Sequence, residues 1–396
     1  MKITGVKLLR LRGTMTFDGP FWEERLVRPV DLYPEHASQG EQPVPQVEPG
    51  KYRMESIFLR VETDSDGLVG IGGPVSHAVA YIVARAVAPH LIGHDPLAVE
   101  RIWDRIYRQQ IHGRKGDAML ALSAIDCALW DIRGKWANAP VYRLLGGPTR
   151  PGLPAYASML GFSVDPSRAR ERADEYKQKG YGAQKWFFRH GPWAGRAGIE
   201  LNVALVRETR AGVGYDYDLM FDAWSSWDVP YAVTLAERIS GFRPRWLEEP
   251  VLADRIESYA EVKRRMPFPV AGGEHEYTRW GIKQLLDARA CDVLQPDIYW
   301  AGGITEMLKI AALCSCYDVQ LVPHGHSTPA TAHFLLSQPA SLCPIIEYLV
   351  KWNAVHQFFL ASPLEPVDGV VTPPDRPGIG MELDADKAEQ QEELTF

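Results

Sequence analysis

Residues 219–222, with the sequence Leu-Met-Phe-Asp, begin a pattern that is repeated along the chain and indicates its fold. This apolar run ends in an acidic residue. An amphipathic stretch follows at residues 229–239, and then a second apolar run ends at Glu248. A short apolar run indicates a buried strand, and an amphipathic stretch of about ten residues indicates a helix that covers it. The segment therefore predicts a strand, a helix and a second strand.

The same unit recurs through the second part of the chain. Apolar runs separated by amphipathic stretches lie at residues 156–158, 183–186, 219–222, 246–248, 270–272, 292–295, 320–322 and 345–347. This alternation predicts parallel strands arranged as a barrel. An open, doubly wound sheet has the same alternation, but it is disfavoured because no glycine-rich phosphate-binding loop follows the first strand.

The first 150 residues have a different pattern. Strand-like alternation at residues 3–11 and 56–63 flanks residues 13–51, which are rich in proline and glycine and have no clear period. A loop this long in a compact domain is either disordered or functional, for example as a lid. Helices are predicted at residues 97–108 and 119–135. The acidic, glutamine-rich tail at residues 385–396 is expected to be disordered.

Composition excludes several classes of function. The chain has 396 residues and a formal net charge of −7, which argues against a nucleic-acid partner. Its apolar stretches are too short to cross a bilayer. The N-terminus alternates like a strand and lacks the apolar block of a signal peptide. Five cysteines, mostly within apolar runs, indicate free thiols in a reducing compartment. We therefore expect a cytoplasmic globular protein with no nucleic-acid partner and no membrane partner.

Chemically active side chains follow successive predicted strands at intervals of 23 to 27 residues. They are Asp222, Glu248, Glu274, Asp297, His324 and Glu347. One strand, one helix and their loops need a comparable length of chain. The spacing therefore places these groups on neighbouring strands at the carboxyl-terminal rim, where barrel enzymes have their active sites. A single acidic residue after a strand is usually a helix N-cap or a solvated charge, but a whole set at one spacing favours a site.

Three of these groups indicate a metal. Asp222, Glu248 and Glu274 would repel each other strongly at one rim, unless a cation neutralises them or they share protons. Carboxylate oxygens without thiolates favour Mg²⁺, with Mn²⁺ as a substitute, over Zn²⁺. Glu249 competes with its neighbour Glu248 for the inward position, since the alternation of a strand places the two side chains on opposite faces. We assign the ligand to Glu248.

A base is predicted beside this metal site. His324 lies one strand after Asp297, and a carboxylate beside an imidazole selects its tautomer and raises its pKa. His326 competes for the same role. His275, immediately after Glu274, is a candidate second acid or substrate contact.

The lid and the strand after it are expected to determine specificity. Trp22 and Arg53 are candidate substrate contacts there, and His326 is a third at the barrel rim. Arginine could hold the distal part of an acidic or polyhydroxy substrate. The alternative is that Trp22 only packs the lid and that Arg53 is a solvated charge at a strand edge.

Several longer motifs resemble those of the enolase superfamily. Residues 121–135, 140–141 and 144–147 are similar to the capping-domain signature of its mandelate racemase subgroup. Motifs similar to those of the L-rhamnonate dehydratase-like acid-sugar dehydratases lie at residues 219–224, 246–249, 273–275, 295–297, 302–303 and 322–325, with a similar C-terminal turn at residues 377–380.

The resemblance implies an α/β fold with two parts. A modified (β/α)7β TIM barrel would occupy residues 151–360. An N-terminal α+β capping domain would occupy residues 1–150, with its lid loop at about 13–51, and the C-terminal segment, residues 361–396, would return to complete it. The resemblance also implies a homo-oligomer.

The resemblance further implies roles for the rim residues. The ligands of one Mg²⁺ per subunit would be Asp222, Glu248 and Glu274. His324 with Asp297 would be the general acid and base. Two further catalytic residues would be Glu347, which would bind the substrate or the developing enolate, and Lys185, whose simpler role is a buried charge paired with a carboxylate.

The implied activity is dehydration of a small-molecule sugar acid, an aldonate or an aldarate. Removal of the proton alpha to the carboxylate and loss of the 3-hydroxyl would give a 2-keto-3-deoxy acid. Racemases of this kind often carry a Lys-x-Lys pair, but Phe187 follows Lys185 at the second position. This absence of a second lysine argues against racemisation or epimerisation through the same enediolate, which is the alternative activity. A non-catalytic sugar-acid-binding barrel is a further alternative.

Overall fold

The computed structural model describes residues 1–396, apart from the side chain of Pro34. An antiparallel sheet with helices forms the N-terminal part of the chain, and a sheet dominated by parallel strands forms the part after it. The predicted α/β fold class, a barrel with a cap, is confirmed.

The cap sheet is built on two long paired strands. Its strands are β1 (Ile3–Thr16), β2 (Gln46–Glu48), β3 (Lys51–Thr63), β4 (Val69–Val75) and β14 (Gln390–Glu393). Their order is β14-β1-β3-β2, and β4 also pairs with β3. Leu9, Leu11 and Met15 alternate on the buried face of β1, as a half-buried strand requires. Pairing between β1 and β3 extends to Thr16 and Lys51, so the segment that joins these strands covers residues 17–50 rather than 13–51, and it contains α1 and β2.

The C-terminal tail is ordered, and the expectation of disorder was wrong. β14 pairs antiparallel with β1, with Leu9 opposite Glu393 and Arg12 opposite Gln390. Backbone hydrogen bonds to an existing sheet edge need no apolar side chains, so the polar composition of the tail does not prevent this pairing. The C-terminal segment thus adds a strand to the cap sheet.

One long helix joins the cap sheet to the barrel. The helices of the cap are α1 (Pro34–Ala37), α2 (His77–Ile82), α3 (Val99–Gln109), α4 (Asp117–Trp136) and α5 (Val141–Leu144). α4 packs on β4 on one side, and a Cβ at Gly70 or Gly72 of β4 would lie only 2.1 or 2.5 Å from a carbonyl oxygen of α4. Glycine at these positions therefore permits the close approach.

The barrel has the predicted order of strands and helices. Its strands are β5 (Leu153–Ser158), β6 (Ala183–Phe187), β7 (Asp218–Asp222), β8 (Trp246–Glu248), β9 (Val270–Gly272), β10 (Val293–Leu294), β11 (Gln320–Leu321) and β12 (Ile346–Leu349). The connecting helices are α6 (Pro166–Gln178), α7 (Gly195–Val213), α8 (Val229–Ile239), α9 (Ile256–Arg265), α10 (Thr278–Asp287), α11 (Gly303–Tyr317) and α12 (Thr328–Ser337). Neighbouring strands pair in parallel from β5 to β11, and β12 returns to pair with β5. After β12 come α13 (Val350–His356) and β13 (Val370–Val371), which pairs antiparallel with the start of β5.

The interior of the barrel changes from apolar to polar along its strands. One buried layer consists of Tyr156, Ala183, Met220, Trp246, Ala271, Val293, Val322 and Ile345. A strand places every second side chain on the same face, so the residue two positions later lies one layer nearer the carboxyl-terminal rim. In that next layer Met220 is followed by Asp222, Trp246 by Glu248, and Ala183 by Lys185. The apolar layer is therefore the floor of a polar site.

No helix among the described residues has both the length and the apolar character that spanning a membrane requires.

The stability of the cap should depend on the buried carboxylate of Asp131. It is fully buried on α4 and accepts hydrogen bonds from the backbone N–H groups of Ile71 (3.1 Å) and Ile379 (2.8 Å). Asp131→Ala would leave both donors unpaired. We expect a loss of roughly 2–4 kcal/mol in the free energy of unfolding, measured by urea denaturation, since each unpaired buried donor costs about 1–3 kcal/mol.

The matched control is Asp104→Ala on α3. Asp104 is exposed and pairs with Arg108 one turn later, so its removal should change the free energy of unfolding by less than about 0.5 kcal/mol. Equal stability of the two variants would contradict the role given to Asp131.

Candidate active site

Asp222, Glu248 and Glu274 meet at the carboxyl-terminal rim of the barrel. Asp222 and Glu248 end β7 and β8 and lie opposite each other in the strand register, and Glu274 lies two residues beyond β9. One carboxylate oxygen from each lies within 4.8 Å of the others, and all three side chains are buried. The structure thus brings together the three carboxylates predicted as metal ligands.

The three carboxylates need positive charge nearby if they are to be ionised together. Burial raises the pKa of all three carboxyls, and the neighbouring carboxylates raise it further. Three charged carboxylates in so small a space repel each other unless a cation lies close by. Hard oxygen donors without thiolates suit Mg²⁺. The donor set therefore fits a divalent cation of this kind.

Lys185 supplies part of the compensating charge. It lies on β6, is 1% exposed, and its ammonium contacts Glu248, Glu347 Oε1 at 2.8 Å and Asp222 Oδ2 at 3.3 Å. Burial alone would lower the pKa of Lys185, but these carboxylates hold it well above its usual range. Lys185 is thus a buried ammonium paired with several carboxylates.

His324 and Asp297 form the predicted pair. The ring Nδ1 of His324 lies 2.8 Å from Asp297 Oδ2, and because a carboxylate only accepts, Nδ1 donates and Nε2 is directed elsewhere. Nε2 lies 3.9 Å from Glu274 Oε2. Burial acts to lower the pKa of His324, but Glu274, Asp297 and Glu347 raise it to about 10. Neutralising the charge of Glu274 would lower the pKa of His324, because Glu274 raises that pKa more than Asp297 or Glu347 does.

His326 does not replace His324 beside Asp297. The backbone N–H of His326, and not its ring, donates to Asp297 Oδ2 at 3.2 Å. The ring of His326 lies instead on the wall of the cavity described below.

Glu347 is held at the rim by the loop that carries His324. The backbone N–H of Gly325 donates to Glu347 Oε2 at 2.9 Å. A Cβ at position 325 would lie 2.9 Å from Glu347 Cγ, so glycine permits this contact. Burial acts to raise the pKa of Glu347, but Lys185 and His324 hold it below its usual value. Glu347 is therefore a carboxylate between the two cationic side chains of the site.

Glu249 and His275 form a second pair beside the trio. Both carboxylate oxygens of Glu249 lie 2.9 Å from Nδ1 of His275, and Ser225 Oγ donates to Glu249 at 3.2 Å. Burial acts to lower the pKa of His275, but Glu249 and Glu274 raise it to about 9. Glu249 thus faces His275, whereas Glu248 faces Asp222, as the opposite faces of a strand require.

A cavity of about 270 Å³ opens above these groups. Since water occupies about 30 Å³ per molecule, this volume holds a small organic molecule. Its lining comprises Trp22, Leu26, Arg28, Glu41, Leu160, Trp224, Glu274, Trp300, His324, His326, Leu349, Trp352 and His356. Two of the three predicted substrate contacts, Trp22 and His326, therefore lie at the cavity.

Arg53, the third predicted substrate contact, lies elsewhere, and this is a correction. It is exposed on β3 and lines a separate surface groove with Arg12 and Glu389. The alternation of β3 explains the error, because Tyr52 and Met54 occupy the buried face and leave Arg53 on the outer one. The alternative of a solvated charge describes Arg53 better.

Sequence reasoning missed several residues of the cavity wall. Arg28 and Glu41 come from the lid, and Trp352 and His356 come from α13. The lid residues carry no periodic signal. α13 begins directly after β12, so its position at the carboxyl-terminal rim was a usable signal.

Two family models match most of the chain. Residues 168–387 match the family model "Enolase C-terminal domain-like", and residues 44–146 match "Mandelate racemase / muconate lactonizing enzyme, N-terminal domain". An L-rhamnonate dehydratase of Saccharopolyspora erythraea is 36% identical over 371 residues, which is 91% of this chain and 90% of that protein.

Two solved structures have the same architecture over nearly the whole chain. The L-rhamnonate dehydratase of Gibberella zeae has a TM-score of 0.82 and 30% identity, covering 98% of this chain and 94% of that one. A racemase of Streptomyces coelicolor A3(2), solved with bound magnesium, has a TM-score of 0.79 and 29% identity, covering 98% of both chains.

Magnesium should stabilise the protein through the trio. A ligand that binds only the folded state adds about 2.7 kcal/mol at 100 times its Kd. We expect MgCl₂ to raise the melting temperature of protein freed of divalent ions with EDTA, as measured by differential scanning calorimetry.

Glu274→Gln should lose most of this shift, because it removes one of three charged ligands. Glu261→Gln on α9, where the side chain is 48% exposed, is the matched control and should keep the shift. A Glu274→Gln protein that responds to magnesium like the wild type would exclude Glu274 as a ligand.

Proposed function

The chain belongs to the mandelate racemase and muconate lactonizing enzyme family of the enolase superfamily, and from this premise we propose that it is a hydro-lyase that dehydrates an acid sugar. One observation carries the proposal: His324, paired with Asp297, has its Nε2 3.9 Å from Glu274 of the carboxylate trio, while Phe187 occupies the position two residues beyond Lys185 on β6. The named dehydratase relatives support the same reaction.

The apolar side of the site argues for one base. Phe187, two residues beyond Lys185 on β6, packs with Leu26 and Leu349. In the order of the sheet, four strands (β7 to β10) separate β6 from β11, so this side faces a different part of a bound substrate than His324 does. Dehydration needs one base, whereas exchange of a proton between two faces of a carbon needs two. This distribution of groups therefore favours elimination.

We assign the proton transfers to His324. The substrate would be a 2,3-dihydroxy acid whose C2 proton passes to Nε2 of His324. The C3–OH bond then breaks, and the hydroxyl leaves as water after receiving a proton from His324 or from His275. The enol that remains tautomerises to a 2-keto-3-deoxy acid, so the net change is the loss of one water.

Asp297 keeps Nδ1 of His324 protonated and thereby leaves Nε2 for the substrate. Lys185 and Glu347 lie where the substrate carboxylate is expected, and Lys185 adds fixed positive charge there. Asp222, Glu248 and Glu274 would hold one Mg²⁺ per subunit, which when bound would offset the negative charge that develops on the substrate carboxylate.

We further propose the setting of this reaction. The domains would be residues 1–150, 151–360 and 361–396, with the last completing the first. The subunit would work in a homo-oligomer, as the family resemblance implies. The five cysteines are free, and four of them are buried, which supports a reducing compartment such as the cytoplasm.

The reaction is tested by incubating the protein with Mg²⁺ and a library of aldonates and aldarates. We expect a 2-keto acid from at least one substrate, detected as its semicarbazone. Turnover of none of them by magnesium-loaded protein would reject the proposal. Exchange of the alpha hydrogen in D₂O without a keto product would establish the alternative, racemisation or epimerisation.

His324→Asn should lower kcat by at least about 100-fold, because general-base catalysis contributes about 10²–10⁴-fold. His112→Asn, the same change at an exposed residue, should retain wild-type kcat. The magnesium-induced shift in melting temperature verifies that both variants are folded. Undiminished activity of His324→Asn would refute its assignment as the base.

A further inference from the structure

Two imidazoles on the cavity wall take no part in the proposed proton transfers. His326 follows β11, His356 ends α13, and their ring centroids lie 4.5 Å apart. The ring of Trp300 lies between this pair and the base. Its centroid is 4.8 Å from that of the His324 ring and 5.8 Å from that of the His326 ring. The pair thus lies beyond the reacting carbons, where the distal chain of a substrate would extend.

The tautomer of His356 follows from its contact with the backbone. Its Nδ1 lies 2.9 Å from the carbonyl oxygen of His326, and because a carbonyl only accepts, Nδ1 carries the hydrogen. Burial lowers the pKa of His356 to about 3, so the ring is neutral at physiological pH. Trp352 stacks on the ring at 5.4 Å and 15° and holds its orientation. Nε2 therefore presents a lone pair and acts as an acceptor.

The ring of His326 presents a hydrogen-bond donor to the cavity, whereas the ring of His356 presents an acceptor. Its Nδ1 is buried and has no hydrogen-bond partner among the described residues. Burial also lowers the pKa of His326, so its neutral ring carries a single N–H. An unpaired lone pair costs less than an unpaired buried N–H. The hydrogen is therefore assigned to Nε2, the nitrogen that can reach the cavity, and His326 acts as a donor.

The surroundings of the pair are mainly apolar. Leu26, Leu160 and Leu349 line the same cavity with Trp352. Arg28 and Glu41, which also line it, carry opposite charges. A hydrogen bond in such surroundings is stronger than in water, and a donor or acceptor left unpaired there is costly. A ligand that satisfies both rings is consequently favoured over one that leaves them unpaired.

We propose that His326 and His356 form a donor–acceptor pair that binds a hydroxyl of the substrate beyond C3, and that His356 is a specificity-determining residue. A hydroxyl can donate to His356 Nε2 and accept from His326 Nε2 at once. A carboxylate only accepts and would face the lone pair of His356, and an ammonium only donates and would face the N–H of His326. The substrate class is thus an acid sugar with an uncharged hydroxyl at this position. This inference rests on the proposed dehydration.

The experiment compares an accepted aldonate with its 4-deoxy, 5-deoxy and 6-deoxy analogues. For the wild type, kcat/KM should fall by about 10-fold or more at one of these carbons, because the analogue leaves both rings unpaired. In His356→Phe, the ratio of kcat/KM for the parent aldonate to kcat/KM for that analogue should fall to about 2-fold or less. Most of this change should be in KM. His356→Gln, which restores a side-chain acceptor, should recover part of the ratio.

His326→Phe provides a second route that does not depend on the folding of His356→Phe. It removes the donor but keeps the backbone carbonyl that orients His356, and it should reduce the ratio at the same carbon. His112→Phe, at an exposed residue, is the control and should keep the wild-type ratio.

The outcomes separate this inference from the proposed function. Turnover of an aldonate with ratios that neither variant changes would overturn the hydroxyl pair and leave the dehydratase assignment standing. The hydroxyl pair would also be overturned if His356→Phe lowered the kcat/KM ratio for one deoxy position and His326→Phe lowered it for another. Failure of the wild type to dehydrate any acid sugar would overturn both.

Discussion

The mutual repulsion of three buried carboxylates is the constraint on which the site depends. Asp222, Glu248 and Glu274 project from neighbouring strands into one small volume. Such a group is stable only if positive charge is supplied close by. Lys185 supplies it from β6, where its ammonium contacts Asp222 and Glu248. The ammonium therefore offsets part of the negative charge of the trio, and the three carboxylates can still meet at a divalent cation.

The cap contributes to this site by docking on both sides of the barrel rim. On one side, α4 meets the start of α11, where Ser123 and Asp126 accept hydrogen bonds from the backbone of Gly302 and Thr305. This contact orients the loop that carries Asp297. On the other side, the lid forms backbone hydrogen bonds to the barrel, from Val27 to Phe188 at 2.7 Å. The cavity is thus enclosed between two parts of the chain that are far apart in sequence.

A buried ion pair inside the lid explains how the lid keeps its shape with only short regular elements. Arg25 and Asp31 are both buried and form a bidentate ion pair, with N–O distances of 2.7 and 2.9 Å. Arg25 also donates to backbone carbonyls of the lid, including those of His36 and Ala37. A buried guanidinium with so many partners specifies one arrangement of the loop. The lid side chains at the cavity, such as Trp22, are thereby held against the barrel.

The barrel and the level at which its rim groups lie could be predicted from the sequence. Strands of period two, repeated with helices at a nearly constant interval, place Asp222, Glu248 and His324 in one layer whatever the loops do. The pairing of the polar tail with β1 and the contact between the rings of His326 and His356 depend on the tertiary structure alone. The reason is that these contacts join distant segments through backbone hydrogen bonds and packing, which leave no periodic pattern in the local sequence.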